Sequence, residues 1–96
     1  VCVPINTAYV GQLLEHVLAV SEARAMVAQA EFLPRLRGIS GHGLETILVS
    51  GTADAGPDGA RLLPIGALDD HGRALQPLER PIEPWDTQSI IFTSGT

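Results

Sequence analysis

Ser89-Ile90-Ile91-Phe92-Thr93-Ser94-Gly95-Thr96 decides how the rest of the chain is read. Its β-branched and aromatic residues form a short apolar run, the signature of a strand buried on both faces, and the run empties into a turn of small hydroxyl residues and one glycine. Backbone of that composition can approach an anion closely and offer it several N–H and O–H donors. In an open α/β sheet a turn at the carboxyl end of a strand is also where ligands bind. The segment therefore predicts an interior strand over Ile90–Phe92 that carries a phosphate-sized cradle at its end.

Working back, the sequence predicts the other parts of an α/β layer structure. Val1 to Ile5 reads as a buried strand, with Pro4 near its end where a ladder can spare a donor. Asn6 and Thr7 supply side-chain oxygens suited to opening a helix. Val10, Leu13, Leu14, Val17, Leu18 and Ser21 then recur at helical spacing, with Gln12, Glu15, His16 and Glu22 largely on the opposite side. Ala23 to Ala28 reads as the next strand, completing a βαβ unit with a right-handed crossover. Glu31 to Leu36 is a brief helix that tolerates Pro34 in its early turns and ends near Gly38. Glu45 to Ser50 is a further strand.

From residue 51 to residue 84 periodicity is lost. Glycines and prolines interrupt the chain so often that no long helix fits, and only Leu62, Leu63, Ile65 and Leu68 suggest one short packed piece. The segment reads as an irregular surface excursion. Beyond it, Trp85 is expected to lie over the sheet edge as an anchor.

Composition narrows the function classes. The 96 residues allow one domain at most, and with only Tyr9, Phe32, Trp85 and Phe92 as aromatics the core must come from Leu, Ile, Val and Ala. Six basic and eleven acidic residues give a net charge of −5, which disfavours a nucleic-acid partner. A lone cysteine, Cys2, excludes an internal disulfide, fits a cytoplasmic location and reads as a small core residue. No apolar run is long enough to span a bilayer, so no transmembrane segment is expected. His16, His42 and His71 lack metal-ligand spacing, and Asp54, Asp58, Asp69 and Asp70 lie in turn-rich sequence where aspartate is favoured anyway.

Two segments together carry a resemblance. Val3-Pro4-Ile5-Asn6-Thr7-Ala8-Tyr9, followed by Leu13-Leu14, Leu18, Ser21 and Ala23, and the terminal Thr93-Ser94-Gly95-Thr96 preceded by Asp86-Thr87, resemble in order and separation the adenylate-forming (AMP-binding) superfamily. The flavour is closest to carnitine- and fatty-acyl-CoA ligases. No GxxxxGK[ST] pattern is present, so the loop is not a Walker motif. The resemblance implies an incomplete three-layer βαβ piece of the N-terminal (AMP-binding) domain, mostly parallel sheet with flanking helices. It spans residues 1–96, with 51–84 an excursion within it. The apolar start at Val1, and an end where a helix would be needed to cover a strand, agree with a piece of a longer protein. A small natural domain that lost its initiator methionine is the alternative.

Further consequences belong to the resemblance alone. The intact enzyme would be an acid–thiol ligase: a carboxylic acid attacks the α-phosphate of Mg2+-bound ATP to give an acyl-adenylate, and coenzyme A then displaces AMP. Thr93, Ser94, Gly95 and Thr96 would hold ATP phosphates, and no residue here would be catalytic. The Thr-Gly-x-Pro-Lys-Gly half of the loop, the magnesium-binding acid and the catalytic lysine would lie in the missing remainder of the polypeptide, so these 96 residues alone are expected to be inactive. Two alternatives are a non-enzymatic α/β module that binds a nucleotide or a partner, and the adenylation domain of a peptide synthetase.

Overall fold

The computed structural model describes residues 1–69 and 72–93. Its centre is a three-stranded sheet of β1 (Ala25–Gln29), β2 (Thr46–Ser50) and β3 (Arg61–Pro64), parallel throughout, with β2 in the middle. One α-helix, α1 (Gly11–Ser21), precedes the sheet. Short 3-10 helices, Ala30–Leu36 and Ile65–Leu68, follow β1 and β3.

The helix forms where the apolar spacing requires it, and it buries Leu14, Val17 and Leu18. Its start differs from expectation. Asn6 closes a turn of its own: its side-chain oxygen accepts from the Ala8 N–H at 2.9 Å and its carbonyl accepts from the Tyr9 N–H at 3.0 Å. This is the local bonding that lets asparagine compete with helix, so Val10 is left as the residue before the helix, extended and without a side-chain cap. Gly11 then turns the chain at φ +56°, a left-handed conformation that glycine adopts without a Cβ clash. At the far end Glu22 takes a left-handed conformation, φ 52°, and its N–H reaches the Ala19 carbonyl.

Register across the sheet separates two faces. Met26, Ile47 and Leu62 align, as do Ala28, Val49 and Pro64. These rows look toward α1: Leu14, Leu18, Leu33, Leu36, Leu44, Ile47 and Val49 form one buried cluster, with Met26, Ala28 and Leu62 packed against it. Leu33 and Leu36 join it together because residues three apart eclipse in a 3-10 helix. On the opposite face Val27, Leu48 and Leu63 make an apolar row between the row Ala25, Thr46 and Arg61 and the pair Gln29 and Ser50, and Val27 is 60% exposed. The fold is therefore α/β and parallel, as expected, with one of the anticipated helical layers present among the described residues.

Several expectations are corrected. Val1–Ile5 is not a strand of this sheet; only Cys2 pairs, in a single parallel bridge to Ser89. Ile90–Phe92 is not an interior strand, since Ile91 is 68% exposed and Ile90 is also exposed. Trp85 anchors nothing within the described residues and is 79% exposed. Cys2 is an exposed free thiol rather than a core residue. Within the expected excursion, Leu62 and Leu63 belong to a true strand, β3, which pairs with β2 over Arg61–Pro64.

Candidate functional site

The N-terminal segment and the last described residues meet at one edge of the molecule. The Cys2 N–H donates to the Gln88 carbonyl at 2.9 Å, and the Ile90 N–H donates to the Cys2 carbonyl at 3.0 Å. Because that pairing is parallel, both segments run to the same end. There the Asn6 turn follows one and Thr93 follows the other. A second tie holds them: the Tyr9 hydroxyl donates to the Phe92 carbonyl at 3.4 Å. The Phe92 ring meets the edge of His16 with centroids 6.5 Å apart, so α1 also contacts this end. Thr93 is exposed. Ser94, Gly95 and Thr96, the other residues expected to grip phosphate, lie outside the described residues.

Asp86, the acid preceding the terminal segment, is committed locally. It accepts both Nη atoms of Arg80, at 2.6 and 2.8 Å, and its second oxygen also accepts the Glu83 N–H at 2.8 Å. The Arg80 guanidinium, and then the Glu83 amide, hold the Asp86 carboxyl below the usual carboxylate range. The same pairing raises Arg80. The clasp closes a loop over Pro81 and Pro84 and carries Trp85 at its tip. Both Asp86 oxygens are thus engaged within the loop, and among the described residues no group of three His, Cys, Asp or Glu could hold a metal ion. His42 is engaged, its Nδ1 accepting from the Leu44 N–H at 3.2 Å, and His71 lies outside the described residues.

A cleft of about 680 Å³, not foreseen from the sequence, lies between Val1–Thr7 and β1. Its walls are mainly apolar, with Val3, Ile5, Leu14, Leu18, Met26 and Phe32 among them. Arg35 sits on its rim: its guanidinium lies 4.8 Å above the Phe32 ring and donates to the Thr7 carbonyl. That bond spans residues far apart in sequence, which no local spacing could reveal.

No protein-family model matches the chain, and neither a curated protein nor a solved structure matches it. Among the described residues no helix is long and apolar enough to cross a membrane.

Proposed function

We propose that the chain is part of an ATP-dependent acyl-CoA ligase of the adenylate-forming type, with Thr93, Ser94, Gly95 and Thr96 as the opening half of its phosphate loop. One observation carries the reading. The parallel Cys2–Ser89 bridge and the Tyr9–Phe92 hydrogen bond bring the Asn6 turn and exposed Thr93 to the same end of two parallel-paired segments, and open α/β folds take ligands at the carboxyl ends of parallel strands.

Exposed Thr93 fits the first donor of such a loop. ATP would supply the electrophilic α-phosphorus, and Mg2+ would screen the charge of its tail. This chain's part would be to present N–H and hydroxyl donors to the β- and γ-phosphates, a contribution of positioning and charge stabilisation. With Asp86 held by Arg80, the cation would need carboxylates from elsewhere in a longer protein. The remainder of that polypeptide, a carboxylic acid and coenzyme A would be its partners.

The test is the reading frame on the 3′ side of the Thr96 codon. A Thr-Gly-x-Pro-Lys-Gly continuation is expected, together with carboxylate-dependent ATP–pyrophosphate exchange by the full-length product. A stop codon directly after Thr96, or a full-length product without exchange against a panel of short- to long-chain acids, would overturn the proposal.

A further inference from the structure

We propose that Ser40 is a phosphoryl-acceptor site for an arginine-directed protein kinase, and that a phosphate there severs the tie between its loop and α1. This inference is independent of the ligase reading.

The sequence singles the residue out. Arg35-Leu36-Arg37-Gly38-Ile39-Ser40 places arginines three and five residues ahead of a hydroxyl. The chain has no lysine, and no serine or threonine lies within the five residues that follow Arg24, Arg61, Arg73 or Arg80. Ser40 is thus the one hydroxyl with a basic residue closely upstream. A guanidinium binds a carboxylate through two parallel hydrogen bonds, so a kinase whose substrate groove carries carboxylates can select Ser40 against every other serine and threonine of the chain.

The fold leaves this site accessible. Ser40 and Arg37 are both exposed, and Ile39 and Ser40 belong to no helix or strand. Arg37 leaves the 3-10 helix in an extended conformation, at φ −67° and ψ 134°. Arg35 is placed differently: its guanidinium donates to the Thr7 carbonyl and lies 4.8 Å above the Phe32 ring. A kinase would have to break those contacts to use it. Arg37 is therefore the main determinant and Arg35 a lesser one.

The transfer is balanced by the kinase's own ATP. A bond forms from Ser40 Oγ to the γ-phosphorus, the bond from that phosphorus to the bridging oxygen breaks, and ADP leaves; the hydroxyl proton passes to the kinase's catalytic carboxylate. The consequence follows from what the hydroxyl does beforehand. Ser40 Oγ donates to Glu15 Oε1 at 3.2 Å, which ties the loop ahead of β2 to α1. Phosphoserine has lost that proton and carries a charge of about −1.5 to −2 at pH 7. Beside the Glu15 carboxylate it repels, and the tie is lost.

The probe is a purified serine/threonine kinase of the cyclic-AMP-dependent type, incubated with Mg-ATP and the isotope-labelled chain. Mass spectrometry should find one phosphate per chain, on Ser40, and none in Ser40→Ala. Arg37→Ala should lower kcat/KM for the phosphorylation by on the order of tenfold or more, the loss of a charge-assisted hydrogen bond, and Arg35→Ala should lower it less. Both arginines are exposed, and circular dichroism of each variant should match the parent. On phosphorylation the amide signal of Glu15 should shift while that of buried Ile47 stays in place. No incorporation, incorporation at another hydroxyl, or a rate at Ser40 indifferent to Arg37→Ala would overturn the assignment. A Glu15 signal unmoved by a phosphate on Ser40 would overturn the coupling to α1.

Discussion

Cys2 and Ser89 form a parallel bridge that stops after one residue, and Pro4 is the reason. The Cys2 N–H and C=O both engage the terminal segment. The next residue facing that way is Pro4, which has no N–H to offer the Ile90 carbonyl. The apolar run at the C-terminus is left without a ladder to extend.

Pro4→Ala should lengthen the bridge. The new hydrogen bond contributes about 0.5–1.5 kcal/mol, while relaxing the unfolded chain costs about 0.4–1 kcal/mol, so net stability should scarcely change. The local effect is the readout: the new amide at position 4 should exchange on the order of tenfold more slowly than a free amide. Exchange at the free rate would show that something other than the missing donor ends the pairing.

Ile47 lies fully buried on the central strand, at the heart of the cluster that joins α1 to the sheet. Ile47→Ala should cost about 2–5 kcal/mol, enough to unfold a domain of this size in denaturant titrations at ambient temperature. Leu75 is 97% exposed, and Leu75→Ala should stay within about 0.5 kcal/mol of the parent. Similar losses at the two sites would mean the core is misassigned.

Glu22 closes α1 in a left-handed conformation that costs a residue bearing a Cβ about 1–2 kcal/mol. Glu22→Gly removes that strain but adds freedom to the unfolded chain, for a net gain of about 0.5–1 kcal/mol. Thermal unfolding followed by circular dichroism checks the sign: the midpoint should rise.

The Arg80–Asp86 clasp should respond to acid. Asp86 is shifted down in the folded state, so its contribution is fully present above the ordinary carboxylate pKa and is lost only as pH falls through its lower folded value. The Glu83 amide donates to Asp86 and should report this as a chemical-shift step below the usual carboxylate range. In Asp86→Asn that step should vanish. Because the contact is at the surface, global stability should change little.

The residues that fix α1 and the two longer strands also made them legible. Leu14, Val17 and Leu18 are buried through their own spacing, and Ile47 and Val49 alternate with half-buried neighbours along β2. β3 was hidden because four residues ending in Pro64, among glycines and prolines, carry too little pattern to separate a strand from a packed loop. The reading of Ile90–Phe92 as interior treated apolarity as sufficient, although a strand also needs a donor across from it, and Pro4 withholds one. Of the expected phosphate-binding residues Thr93 alone is described, and it is exposed. Arg35 and Tyr9, which stitch distant segments together, could not have been picked out, since their partners are carbonyls that every residue carries.

The row Val27, Leu48 and Leu63 gives the molecule a greasy back as well as a packed front. Two molecules colliding back to back would hide those side chains at no cost to either interior. Turbidity on concentrating the purified chain should therefore rise with ammonium sulfate and fall when Val27 is replaced by threonine, the signature of colloidal sticking rather than unfolding.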